Sequence, residues 1–209
     1  MTSAAHPVSD ADHTELRHVL RRSAQLGALQ ALLVAAFSFA SRYLDGGAEL
    51  AVTGLIVVVG VAAVIALPGL WTRARTVEGV AGAAGIGLGA TAVFLVIDVV
   101  ALQPAGMYTN RWLEIGGGSN WWYHPVWWMA GTYLSWLGAW VLANQAAKSG
   151  ESNPTVLVVG TLVLAAAVMA GATLIHFPGA AFGLGTFSVS VLPALALMVI
   201  VSRLGAPRQ

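Results

Sequence analysis

Cysteine is absent from all 209 positions, which removes disulfides, thiolate metal sites, iron–sulfur clusters and covalently attached c-type haem together. Any metal on this chain must be held by nitrogen and oxygen. Charge is also scarce: Asp, Glu, Lys and Arg make up 9% of the residues, where a soluble domain carries roughly a quarter. Ten basic against nine acidic residues leave a formal net charge of +1. That is too little for a polyanion surface, and no basic run is interleaved with aromatics, so no nucleic acid is expected as a partner. Hydrophobic residues make up 57% of the chain. The lipid bilayer is the expected solvent.

Apolar stretches run over 24–43, 50–71, 79–102, 125–146, 155–176 and 180–202, each near the roughly twenty residues that the hydrocarbon thickness requires. They predict an all-α integral membrane protein, a six-transmembrane-helix bundle over 23–204. A polar N-terminal tail (1–22) and a short C-terminal tail (205–209) flank it. The N-terminal tail carries Asp10, Asp12 and Glu15, unlike the acid-free cationic start of a cleaved signal peptide, so the first helix is expected to be retained. Gln25, Gln30, Ser38 and Ser41 make that first span the most polar, and an interfacial helix is its alternative reading.

Lys and Arg collect on the cytoplasmic side of short loops. With the N-terminus cytoplasmic, that side carries Arg17, Arg21, Arg22, Arg73, Arg75, Lys148, Arg203 and Arg208, and the far side only Arg42 and Arg111. Eight against two places both termini in the cytoplasm. The expected location is a bacterial-type inner (cytoplasmic) membrane, crossed several times.

The turn at Asp45-Gly46-Gly47, the WTRART and KSGESNP links and the HFPG turn are short, as between packed antiparallel spans. Residues 103–124, QPAGMYTNRWLEIGGGSNWWYH, are too long for a connector and form an aromatic-rich periplasmic loop between the third and fourth helices. Loops of this kind serve as lids, docking surfaces or interfacial elements. MYTNRWLEI reads as a short amphipathic piece on the membrane surface, and Gly116, Gly117 and Gly118 let the chain reverse.

The loop runs into SNWWYHPVWW, where Trp121, Trp122, Tyr123, Trp127 and Trp128 read as an aromatic girdle at headgroup level. Pro125 suits the first helical position, which puts His124 at the helix cap. Tyr133, Trp136 and Trp140 recur at spacings of three and four as a stripe down the fourth span. Such a stripe is commonly packing surface, and it also suits a ring-shaped ligand such as quinone, haem or carotenoid. The string WWYH is similar, over four residues only, to the tryptophan-rich approach to a copper-ligand histidine in haem–copper oxidases. Those catalytic subunits carry more helices and more membrane histidines than this chain.

Ionisable residues within spans are costly and point to function. Asp98 is the one carboxylate inside an expected span, about a turn from the outer end of the third helix. His124 opens the fourth helix at that face and His176 closes the fifth. Two imidazoles and a carboxylate suit copper, zinc or non-haem iron, with open positions for water or substrate. Haem or quinone fits less well at the rim of a bundle. The competing expectation is that Asp98 pairs with Arg42 or Arg111 while the histidines bond backbone at helix ends.

The third span is two-sided. Gly82, Gly85 and Gly89 form a small-residue seam, and Gly87, Thr91, Phe94 and Asp98 lie opposite at about 100° per residue. Such a helix belongs in the middle of the bundle. Further seams are expected at Gly131, Ser135 and Ala139 and at Gly160, Ala167 and Gly171. Pro193 is expected to kink the sixth span and free a carbonyl for Ser188, Ser190 or a partner helix to satisfy.

Three functions follow. The first is an accessory or anchoring subunit of a larger respiratory, photosynthetic or other redox membrane complex, offering its outer loop and seams to other membrane subunits or to a second copy. The second is a metal-dependent membrane enzyme or metal-handling protein using Asp98, His124 and His176, with Glu114 as an acid or base. The third is a small-solute transporter, for which the likeness of AAGIGLGAT to AAFGLGT in oppositely running helices is the one hint.

Overall fold

The computed structural model describes residues 12–108 and 123–204, with backbone alone at 123–127 and 129. The described residues form long helices and no strand: α1 (Leu16–Tyr43), α2 (Gly46–Thr72), α3 (Val77–Ile97), α4 (Tyr123–Ser149), α5 (Pro154–Leu174) and α6 (Leu184–Arg203). A π-helical turn, Asp98–Leu102, continues α3. Among the described residues, five helices are long and apolar enough to cross a membrane: α1, α2, α3 with its π turn, α5 and α6. The chain is an all-α, multi-pass membrane protein. Helix α4 occupies the stretch expected to form the fourth span.

Chain reversals follow local chemistry. Pro154 opens α5 where no N–H is needed, and the Asn153 side chain accepts from Val156 N at 3.0 Å. Helix α2 ends with Arg73 in the left-handed region (φ 50°), its turn closed by Ala74 N donating to Gly69 O at 3.0 Å. Helix α5 closes the same way: His176 has φ 54° and Phe177 N donates to Ala172 O at 2.9 Å.

Helix α1 begins well before its apolar stretch, so Arg17, Arg21 and Arg22 lie in its first turns rather than in an extended tail. What steadies this start is contact with the α2–α3 turn. His13 N donates to Thr72 O at 3.0 Å. Asp12 accepts from the backbone N–H of Arg75, Thr76 and Gly79, capping α3 from a distance. The Arg22 guanidinium lies 5.0 Å from the centre of the Trp71 ring.

Helix α3 lies between α1 and α4, and α4 packs also on α2 and α6, while α5 packs chiefly on α6. Close approach rests on missing side chains. A Cβ on Gly27 of α1 would come within 2.6 Å of Ala90 O, and one on Gly69 of α2 within 2.8 Å of Ala139 Cα. Gly138 of α4 sits so near the Ile65 carbonyl that no Cβ fits. Serines join neighbouring helices where backbones meet: Ser23 Oγ donates to Ile86 O at 3.3 Å and Ser135 Oγ to Val64 O at 3.2 Å.

The expected sidedness of α3 is present in part: Gly87 and Thr91 face α4, but Phe94, expected on the same side, packs with Ala31 of α1. Gly82, Gly85 and Gly89 meet Thr14, Val19 and Ser23 of the N-terminal segment and α1, and Gly87 meets Gly131 and Ser135 of α4. The fifth-span seam is only partly present: Gly160 meets Met198 of α6, but nothing lies within 4 Å of a Cβ on Gly171. Around Pro193, Ser188 and Ser190 do not take up the freed carbonyl, because their hydroxyls donate back to Leu184 O and Thr186 O.

Candidate functional site

The bundle has two ends. At one lie the start of α1 and the end of α6 with the α2–α3 and α4–α5 turns. At the other, the loop end, lie the α1–α2 and α5–α6 turns and the root of the segment that follows α3.

Asp98 is fully buried at the loop end. Gln103 Nε2 donates to its Oδ2 at 2.6 Å, and the Tyr108 hydroxyl donates to Oδ1. The π turn makes the first of these possible. Gln103 N donates to Asp98 O at 2.9 Å, an i→i+5 bond, and this wider turn brings residue 103 round to the face of residue 98. Two α1 side chains hold the same segment, Arg42 donating to Gly106 O at 2.6 Å and Ser38 to Met107 O. Met107 and Tyr108 pack on Ala31, Phe94, Leu95 and Leu102. Residues 103–108 are thus fastened to α1 and α3 by an acceptor from one helix and two donors from the other.

The expected alternative partners of Asp98 are placed elsewhere or not described. Arg42 is engaged with the Gly106 carbonyl, and Arg111 lies outside the described residues. His124 belongs to the first turn of α4, and its side chain lies outside the description, as does Glu114. His176 is exposed, at the left-handed residue that ends α5. Helices α3 and α5 are not major packing partners. Among the described residues no group of three or more His, Asp or Glu is placed to hold a metal.

The aromatic stripe of α4 is a tilted staircase. Ring centres of Tyr133 and Trp136 are 5.8 Å apart and those of Trp136 and Trp140 5.4 Å. Trp136 and Trp140 pack on a cluster of Ala74, Val80, Ala83, Ala139 and Ala143, where small residues make room for indoles. Tyr133 is half-exposed, and Trp128 is also exposed.

Sequence reasoning missed a second carboxylate and a cavity. Glu49 belongs to the first turn of α2, one position before the apolar stretch. A cavity of about 1010 Å³ at the loop end is lined by Glu49, Thr53, Phe37, Phe177, Thr186 and Pro193, among others, and its wall is mainly apolar. The Thr53 hydroxyl donates to Glu49 O at 2.6 Å, so its polar group is turned into the helix. The glycines at both flanking turns, Gly46 and Gly47 and then Gly179, Gly183 and Gly185, were the available sign of thin packing there.

Comparison with family models, with curated proteins and with solved structures finds no match to this chain.

Proposed function

We propose that the chain is a six-span subunit of a bacterial-type inner membrane, with both termini cytoplasmic, that anchors or assembles a larger redox membrane complex by presenting its 103–124 loop to a partner. The fastening of residues 103–108 carries this reading. Asp98, Ser38 and Arg42 give a long, aromatic-rich segment a fixed base, and a docking element on a fixed base loses less entropy on binding than a free one. The buried carboxylate has a constructive role in this account, closing the loop root. The six spans of this reading are the five apolar helices and α4, and the packing of α4 on α2, α3 and α6 supports counting it with them. The apolar cavity at the same end offers a recess for a partner's side chains.

Extraction in a mild detergent, followed by mass spectrometry and an absorption spectrum, tests the proposal. Recovery with other membrane subunits, reduced when Asp98→Ala loosens the loop root, is the expected result. Migration only as a lone polypeptide rejects it. Near-stoichiometric copper, zinc or iron that disappears on His176→Ala would favour the metal-handling reading through Asp98, His124 and His176 instead.

A further inference from the structure

A second recess, of about 250 Å³, lies at the opposite end of the bundle, between the α2–α3 turn and the α4–α5 turn. Arg73, Arg75 and Ser152 supply its polar groups, and Gly69, Leu70 and Ala146 its apolar part. Two arginines and a serine around one small hollow bring guanidinium and hydroxyl donors of the kind that match a tetrahedral oxyanion.

None of the nearby acids, Asp12, Glu78 and Glu151, is among the lining residues. Asp12 uses its carboxylate on the backbone N–H groups of Arg75, Thr76 and Gly79, leaving the Arg75 side chain out of that network. Glu151 is exposed beside Ser152 and is not among the lining residues. Neither the Arg73 nor the Arg75 guanidinium hydrogen-bonds or ion-pairs with any described side chain. Lys148, on the neighbouring turn, is occupied with Leu204 O.

The backbone supplies an independent observation. Arg73 holds φ 50° at a helix end, a conformation that glycine adopts freely and a long side chain rarely does. Arginine at that position gives up local ease and gains a cation at the mouth of the recess. Leu70, partly exposed, lines the same recess with an apolar side chain, which suits the junction between a lipid headgroup and its chains.

We propose that this recess is a phosphate site, taking the phosphodiester head of an anionic phospholipid or a free phosphate of the same chemistry. Arg73 and Arg75 contact the phosphate oxygens and Ser152 donates a further hydrogen bond. The site does not depend on any protein partner at the loop end.

Delipidated protein is titrated with phosphatidylglycerol, with phosphatidylcholine and, separately, with inorganic phosphate, with bound lipid counted by native mass spectrometry and stability followed by thermal shift. Wild type is expected to retain phosphatidylglycerol over phosphatidylcholine. Arg73→Gln with Arg75→Gln should lose that preference by tenfold or more, and Arg203→Gln, a cation of the same end outside the recess, should keep it. Stabilisation by inorganic phosphate that the double variant loses would assign the free anion as the source and equally support the site. Arg73→Gly separates binding from folding: it should melt no lower than wild type and still bind more weakly. The proposal is overturned if neither probe binds, if the double variant or Arg73→Gly binds as wild type does, or if Arg203→Gln loses binding to the same extent.

Discussion

Replacing Asp98 by alanine is the most direct perturbation of the loop root. The substitution removes the acceptor for the Gln103 amide and for the Tyr108 hydroxyl, and leaves both donors beside a fully buried position. Hydrogen bonds to a charged group are worth about 1.5–3 kcal/mol in soluble proteins, but polar contacts inside membranes average about 0.6 and reach about 1.7 kcal/mol. Two such bonds at the membrane scale give about 1–3 kcal/mol, or roughly 5- to 150-fold in an opening equilibrium. The observable is amide hydrogen exchange over 103–108, where Gln103, Ala105, Gly106 and Met107 each donate a backbone bond that closes the turn. Protection there should fall by that factor in Asp98→Ala, by about half as much in free energy in Tyr108→Phe, and not at all in α5. Unchanged exchange over 103–108 in Asp98→Ala would refute the fastening argument and remove the main support for a docking loop.

Other substitutions test the packing and the topology. Gly138→Val sets a branched side chain against the Ile65 carbonyl and should cost about 1–3 kcal/mol or more, read as a lowered melting temperature in detergent; Gly171→Ala, at an open helical position, should leave it unchanged or raise it. Asp12→Ala removes one cap of α3 and should cost about 0.5–2 kcal/mol, with faster exchange at Gly79; equal exchange there would show that Thr76, whose hydroxyl also accepts from Gly79 N at 3.5 Å, caps the helix alone. Because the chain has no cysteine, single-cysteine labelling is clean: Ser152→Cys should react only from the cytoplasmic side of intact cells and Gly47→Cys only from the outside, and the reverse pattern would invert the topology.

The helical, membrane-embedded character was legible because it depends on quantities that add along the chain, apolar length and scarce charge. The two faces of α3 were legible for the same reason: glycines at 82, 85 and 89 and a polar line through Gly87 and Thr91 follow the helical period whatever lies opposite. Partners set by a break in that period were not. Gln103 is five residues from Asp98, which an α-helix turns well away from the same face, and only the π turn restores the contact. Arg42 was a reasonable ion-pair candidate by depth, yet a backbone carbonyl at Gly106, presented by a residue with φ 64°, lies closer at hand. Glu49 escaped because the apolar stretch begins at Leu50 whereas the helix begins at Gly46. Gly171 shows the opposite error, a small residue at seam spacing with no helix against it.

The pairing of α1 with α3, more extensive than its pairing with α2, sets the order in which the protein can be built. As the chain leaves the ribosome, α1 enters the bilayer before the surface it is shaped to meet has been synthesised. The notch at Gly27 and the hydroxyl of Ser23 wait for Ala90, Val93 and Ile86. Helix α2 arrives first and packs less extensively on α1 than α3 does, so a nascent chain of two spans leaves the Gly27 notch unfilled and the third helix is expected to lock the pair.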